Sequence, residues 1–213
     1  MKLDKVNWET YYDKIKGRPP RPLLRAALEL EKETPRPNGR FAIDLGCGDG
    51  TDTLFLLENG WQVLAIDAEP VALERLLAQV PTDLIGNLQT QVALFEQLTL
   101  PPAQLIHASL SLPFCHPDSF PTLWQKIEAS LVRNGRFAGN LFGVNDSWAV
   151  NTHMTFHTKQ SVEALFTNFA IDYFDEEDKP GRSAAGSKHW HIFTIIARKR
   201  SGSSAGETYA KPI

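Results

Sequence analysis

Short apolar runs alternate along this chain with stretches whose apolar residues recur at three- and four-residue spacing. That alternation predicts strands of a mostly parallel sheet interleaved with covering helices. A first helix is expected after Pro19-Pro20, running to about Glu33 and closed off by Pro35 and Pro37. Phe41-Ala42-Ile43-Asp44-Leu45 reads as the first strand and ends in a glycine cluster. A helix follows from near Thr51 to Asn59-Gly60, where glycine suits a left-handed cap. Strands are then expected at Gln62–Asp67, Gln89–Phe95, Gln104–Ser109 and Arg136–Phe142. Between them, Pro70 opens an amphipathic helix carried by Leu73, Leu76, Leu77 and Val80, and a second helix spans Phe120–Leu131. Thr158 caps a short helix reaching Phe166, and Phe169–Phe174 and Trp190–Ala197 close the sheet as an antiparallel pair. The pattern predicts an α/β, Rossmann-like seven-stranded sheet, mostly parallel with an antiparallel last strand and helices on both faces. The organisation expected is a single domain over residues 1–199, with an N-terminal helical lid at 1–34 and a disordered tail at 200–213.

The informative motif is Asp44-Leu45-Gly46-Cys47-Gly48-Asp49-Gly50-Thr51, which follows a strand and opens a helix. Gly46 and Gly48 let the backbone approach a ligand closely. The stronger signal is their pairing with Asp67 at the end of the next strand, where a carboxylate can accept both ribose hydroxyls of a nucleoside. A dinucleotide fingerprint would place glycine where Thr51 stands, whereas Gly50 falls one place early. Asp44 before the loop would repel a pyrophosphate but suits the ammonium and sulfonium groups of S-adenosylmethionine.

Composition narrows the partners. Lys+Arg 22 against Asp+Glu 25 gives a net charge of -3 and no overall footprint for a polyanion. The run Lys14, Lys16, Arg18, Arg21 and Arg25 reads as a solvated face. Neither Cys47 nor Cys115 has a spacing that suggests a disulfide framework or a zinc site. With no signal-peptide core and no apolar run long enough for a membrane span, the chain reads as cytoplasmic.

At these residues the chain resembles the class I S-adenosylmethionine-dependent methyltransferases, over roughly positions 35 to 199. FAIDLGCGDG is similar to the first motif of that family and VLAIDAEP to the second. LIHASLSLPFCHP resembles the segment around strand four, and LVRNGRFAGNLFG the glycine turn into strand five. Within the class the chain looks nearest to the tellurite-resistance and thiopurine-type small-molecule enzymes. The resemblance implies S-adenosylmethionine as cofactor and S-adenosylhomocysteine as product. It places Gly46 and Gly48 on the methionine part, Asp44 near its amino group and Asp67 on the ribose hydroxyls. Ala68 or Glu69 would lie beside the adenine, and the Ser109 backbone would meet the methionine amino group. Leu94 stands where many members carry an acid for the adenine amino group; Phe95 would then supply an apolar wall and Glu96 an acceptor.

Methyl transfer from a sulfonium is an in-line displacement that needs positioning more than acid–base groups, so no catalytic triad is required. Three stretches are candidates for the acceptor side. Trp8, Tyr11 and Tyr12 precede Arg21; Tyr12 is expected either in a lid over the cofactor or in a helix packed on the sheet, and Arg21 is expected to pair with the cofactor carboxylate. Phe114 and His116 lie in a loop stiffened by Pro113 and Pro117. Trp148 follows strand five, near Asp146 and Ser147, and Lys188-His189-Trp190-His191 opens the last strand. His189 and His191 share a face there and are candidate general bases, although a hydrogen-bonded structural role is favoured for both. A metal site built from His116, His189, His191 and Cys115 is not expected. The function predicted is methylation of a small soluble molecule, with no nucleic acid or membrane partner. The alternative is a non-catalytic S-adenosylmethionine or S-adenosylhomocysteine binding module.

Overall fold

The structure, a computed structural model, describes residues 7–33, 39–183 and 186–200. Two helices, α1 (Trp8–Ile15) and α2 (Pro22–Lys32), precede the sheet. Then follow β1 (Phe41–Leu45), α3 (Thr51–Glu58), β2 (Gln62–Asp67), α4 (Pro70–Leu77), β3 (Leu88–Val92) and β4 (Ala103–Ala108). The second half contains α5 (Phe120–Ser130), β5 (Leu131–Gly143), β6 (Phe156–His157), α6 (Lys159–Leu165), β7 (Phe169–Ser183) and β8 (Gly186–Lys199).

The strands form an eight-stranded sheet in the order β3-β2-β1-β4-β5-β8-β7, with β6 pairing beside β5. All pairs are parallel except β5 with β8 and β8 with β7. The expected seven strands are present, and the eighth is the two-residue β6. The chain order reverses between β1 and β4, so a crevice opens at the carboxyl ends of those strands, where ligands of open α/β sheets bind.

Period-two alternation explains why both faces are covered. Ile43, Leu64, Ile106, Phe137 and Ile195 point to the side packed by Leu123, Trp124 and Ile127 of α5 and Val162 of α6. Their neighbours Ala42, Val63, Leu105, Ala138 and Ile196 point to the opposite side, against Leu24, Ala27 and Leu28 of α2 and Leu56 and Leu57 of α3. Strands covered on two sides are apolar at successive positions, which is why the sequence shows runs rather than clean alternation there. Below the sheet, buried Arg136 of β5 meets Glu31 of α2 at 2.5 Å and Asp172 of β7 at 2.7 Å, tying three elements together.

The structure departs from the sequence pattern at the two ends. Trp8–Ile15 is a separate helix, with Asn7 accepting the Thr10 N–H at 3.0 Å as its cap. The final strands are far longer than the apolar stretches Phe169–Phe174 and Trp190–Ala197, because the hairpin continues through the charged segment 175–183. That segment belongs to an edge strand, where acidic residues and Pro180 resist pairing with another chain and so carry no strand signature. The boundary between helix and strand near Asn134 is also sharper than expected. β5 begins at Leu131, and four residues between Leu131 and Arg136 bulge out opposite Gln104, with Asn134 at φ 61°. Of the expected tail, only Arg200 is among the described residues; positions 1–6 and 34 of the expected lid also lie outside them.

Candidate functional site

The glycine loop is built from the end of β1. Gly46 adopts φ +72°, and a Cβ there would collide with Ser111, whose hydroxyl donates to the Leu45 carbonyl at 2.5 Å. The Gly46 and Cys47 N–H groups both donate to the Ile66 carbonyl, at 2.8 and 3.0 Å. Gly48, at φ +57°, turns its N–H onto Asp67 Oδ2 at 2.9 Å, while the Glu69 N–H donates to Asp67 Oδ1, also at 2.9 Å. The Asp67 carboxylate is thereby held rigidly at the mouth of the crevice. Burial pushes its pKa up, against the two N–H donors that favour the anion.

Tyr12 closes over this loop. It is 3% exposed and lies so near Gly48 that a Cβ there would be 3.3 Å from its ring. Trp8 stacks on Tyr12 at 6.2 Å, and the Arg75 guanidinium sits 5.7 Å from its centroid. An ion pair of 2.8 Å between Arg75 and Asp13 fastens α1 to α4. Burial, with Asp67 the foremost charge nearby, pushes the Tyr12 hydroxyl far above its ordinary pKa.

Beneath the loop lies a buried charge cluster that the motif alone does not announce. Asp44 is 2% exposed and accepts the Thr53 hydroxyl at 2.6 Å. Burial raises its pKa to about 6, with His107 opposing. Asp52, in the first turn of α3, accepts from Arg18 at 3.0 and 3.3 Å and from the Arg21 backbone N–H at 2.8 Å. Burial disfavours the Asp52 anion, yet His107 and Arg18 together hold its pKa well below the usual range. His107 donates from Nδ1 to the Ala138 carbonyl at 3.1 Å, which leaves Nε2 facing Asp52 at 3.6 Å. Although burial opposes the imidazolium, Asp52 and Asp44 raise the His107 pKa.

Arg18 is therefore not part of a solvated basic face, as the run from Lys14 to Arg25 suggested; a carboxylate under the loop has drawn it inside. Arg25 stays exposed, with its guanidinium over the Phe55 ring at 5.4 Å. Arg21 contributes its backbone to Asp52, and its buried Nε has no hydrogen-bond partner among the described residues.

Farther along the crevice, Ser109 donates to Asn140 Oδ1 at 3.3 Å, and Leu110 takes φ 55°, a strained value for a residue with a side chain. At the end of β3, Val92 and Leu94 are 54% and 51% exposed, and Val92 is in register with Asp67. Ala68 adjoins Asp67, and Phe95 packs partly against the core. Glu96 lies farther out, its carboxylate 3.5 Å from the His116 N–H. A cleft of about 160 Å³ separates Phe95 and Glu96 from Asp118 and Lys126 of the neighbouring loop and helix.

Beyond β4 and β5 the loops converge through aromatic contacts. Phe114 touches Trp8 edge-on at 5.1 Å and Trp148 at 6.3 Å. Trp148 in turn meets Trp190 at 5.9 Å and Phe142 at 6.1 Å. Lys188 reaches into this group: its ammonium lies 3.9 Å from the Trp148 centroid and 4.2 Å from that of Trp190, and it pairs with buried Asp146. Burial lowers the Lys188 pKa, against the pull of Asp146. Asp146 also accepts the Trp148 N–H at 2.9 Å and the His191 N–H at 3.3 Å, so one carboxylate knots the loop after β5 to β8.

The histidines are tied into the scaffold. His191 accepts the Asn145 N–H at Nδ1, 3.1 Å, and turns Nε2 to Glu176 at 3.2 Å. His189 Nε2 is 2.6 Å from Asp178 on the adjacent strand. His116 accepts the Asp118 N–H at Nδ1 and stacks loosely on His153. Among the described residues no group of three or more His, Cys, Asp or Glu could hold a metal ion. Nor is any described helix long and apolar enough to cross a membrane.

Comparison with known proteins agrees with this geometry. Residues 42–135 match the family described as a methyltransferase domain. A probable ribosomal RNA small subunit methyltransferase A from Methanospirillum hungatei is 27% identical over 96 residues, covering 45% of this chain and only 38% of that protein's length. Among solved structures, TehB from Haemophilus influenzae superposes with a TM-score of 0.70 at 13% identity, covering 91% of this chain and 67% of that one. The 1,6-didemethyltoxoflavin-N1-methyltransferase of Burkholderia thailandensis, solved with 1,6-didemethyltoxoflavin and S-adenosylhomocysteine, gives 0.62 at 22% identity, covering 91% and 85%. These likenesses show the fold of the S-adenosylmethionine-dependent methyltransferases, class I, with the glycine loop and Asp67 inside the matched segment.

Proposed function

We propose that this chain, whose residues 42–135 match a methyltransferase-domain family, is a class I S-adenosylmethionine-dependent methyltransferase that transfers a methyl group to a small soluble nucleophile bound above β4 and β5. The observation that carries the reading is Asp67, a carboxylate fixed by the Gly48 and Glu69 N–H groups beside a glycine loop. A carboxylate so held accepts two vicinal hydroxyls without having to be reoriented first. When bound, S-adenosylmethionine supplies a methyl group on a positively charged sulfur. Asp52 is neutralised by Arg18, but Asp67 stands at the mouth of the crevice held only by N–H groups, and its charge favours a cationic donor over a pyrophosphate.

In this reading Gly46 and Gly48 pass the methionine part, and the Ser109 backbone meets its amino group. Ala68 and Phe95 flank the adenine, with Glu96 as an outer acceptor and half-exposed Leu94 as an apolar shelf. The N-terminal segment acts as a lid on one domain. Tyr12 excludes water over Gly48, and the unpartnered Nε of Arg21 is a donor for the cofactor carboxylate. Phe114 and Trp148 wall the acceptor, with His116 and His189 at the rim. A small acceptor is supported by the loss of the basic track: Arg18 is committed to Asp52, so no continuous cationic strip runs from Lys14 to Arg25 for an RNA backbone to follow.

The test pairs a binding and a turnover measurement. S-adenosylhomocysteine should raise the melting point, by the equivalent of about 2.7 kcal/mol at a hundredfold excess over Kd. NAD should not. A metabolite panel read by S-adenosylhomocysteine release should then identify acceptors. Stabilisation by NAD and none by S-adenosylhomocysteine would overturn the reading.

A further inference from the structure

Four rings in a continuous contact series, Trp8, Phe114, Trp148 and Trp190, are each only partly buried. Partly covered rings in contact along a crevice are what a small-molecule pocket offers, since such pockets are lined mainly by apolar and aromatic side chains. The series starts at Tyr12 on the glycine loop and ends at Lys188, so it spans the crevice from the cofactor end to the acceptor end. Two further features narrow what would bind. First, the Lys188 ammonium occupies a face of Trp148 at 3.9 Å, which draws electron density from the ring. A second cation is disfavoured there, and an electron-rich ring is favoured. Second, the histidines nearest the series, His189 and His191, already face Asp178 and Glu176. His191 has both ring nitrogens engaged, because its Nδ1 also accepts the Asn145 N–H, so an acceptor whose nucleophile is reactive without a general base from His191 is favoured.

Building on the methyltransferase reading, we propose that the acceptor is an uncharged or anionic planar aromatic molecule. It bears its nucleophilic oxygen, nitrogen or sulfur on the ring and stacks against Trp148 and Phe114. Lys188 is the positioning residue that fixes Trp148. The nucleophilic atom forms its bond to the methyl carbon as the carbon–sulfur bond breaks, with the bonding pair left on sulfur as S-adenosylhomocysteine. Any proton on the nucleophile passes to water. Stacking holds the ring plane, so a ring substituent is aimed at the methyl group with few orientations left to search.

The experiment measures binding before turnover. Protein saturated with S-adenosylhomocysteine is titrated with 8-hydroxyquinoline, 2-naphthol and cyclohexanol by saturation-transfer NMR, while calorimetry follows S-adenosylhomocysteine itself. The planar probes should bind saturably, about tenfold tighter than cyclohexanol. Trp148→Ala should weaken them by about tenfold with S-adenosylhomocysteine affinity unchanged. Lys188→Met should weaken the planar probes with S-adenosylhomocysteine affinity likewise kept, and Lys188→Arg should restore part of the loss. If Trp148→Ala fails to fold, Phe114→Leu on the partly exposed neighbouring loop takes its place. Cyclohexanol binding as well as the planar probes, or probe affinity untouched by Trp148→Ala, overturns the aromatic acceptor. Failure of the wild-type protein to bind S-adenosylhomocysteine overturns the underlying methyltransferase reading instead, and the two results are separately visible.

Discussion

Two buried cation–carboxylate pairs serve the two halves of the crevice, and they are built on different chemistry. Under the glycine loop, Arg18 lays a planar fork on Asp52 through two hydrogen bonds, with His107 and the Arg21 N–H completing the carboxylate's shell. On the acceptor side, Lys188 meets Asp146 as a point charge among the rings of Phe142, Trp148 and Trp190. Each pair anchors a stretch without helix or strand: residues 16–21 in the first case and 144–155 in the second. A guanidinium fork fixes direction as well as distance, whereas an ammonium among rings fixes mainly distance. The first half is thus held by a directional fork, and the second by a point charge that lies against three rings at once.

Substitutions can break this contrast in order of size. Asp52→Ala strips the partner from Arg18 and His107 together, and urea unfolding should show a loss of about 4 kcal/mol. S-adenosylhomocysteine affinity should fall with it, because the N-terminal segment loses its anchor beside the loop. A variant that unfolds at the wild-type midpoint would mean that the cluster is not holding that segment. Lys188→Met should cost about 3 kcal/mol, since Asp146 is left buried and unpaired. Adding Asp146→Asn should recover most of that loss; no recovery would show that the rings, not the ion pair, hold the loop.

Smaller effects sharpen the comparison on the cofactor side. Asp67→Ala removes the carboxylate proposed to accept the two ribose hydroxyls, so calorimetry should record S-adenosylhomocysteine binding weaker by about 1.5–3 kcal/mol in a folded protein. Unchanged affinity would remove Asp67 from the ribose. The smallest effect is a pH slope. Burial raises Asp44 from the ordinary 3.8 to about 6, so between those values the folded chain binds more protons than the unfolded one. This group's contribution to stability then falls as pH rises through that window. Asp52 has the opposite sign: its pKa is lowered on folding, so its contribution is present above the ordinary carboxylate range and lost as pH falls. Asp44→Asn should flatten the Asp44 slope, so that the variant is more stable relative to the wild type at neutral pH than in acid. Urea midpoints measured across that range would show the wild-type slope persisting if Asp44 stays charged.

What could be read in the chain itself is local. Apolar runs at period two, prolines at helix starts and glycines at the loop are set by neighbours within a few residues, so the strands from β1 to β5, the glycine loop and Asp67 are legible in order. The strand order and the crevice between β1 and β4 are decided by tertiary pairing, because crossover handedness fixes the face each helix covers and not which strands are neighbours. The charge cluster and the aromatic series are decided there too, because they join residues far apart in sequence whose side chains carry no periodic mark. Arg18 looks like any surface cation until Asp52 of α3, 34 positions farther along the chain and also facing His107 of β4, draws it inward. Lys188 and Asp146 are 42 residues apart, and only the antiparallel pairing of β8 beside β5 brings that ammonium to Trp148. The outer hairpin is likewise decided by its partner strand: an edge rich in Asp, Glu and Lys is held by backbone hydrogen bonds, which every residue but proline can donate and which leave no trace in the apolar pattern.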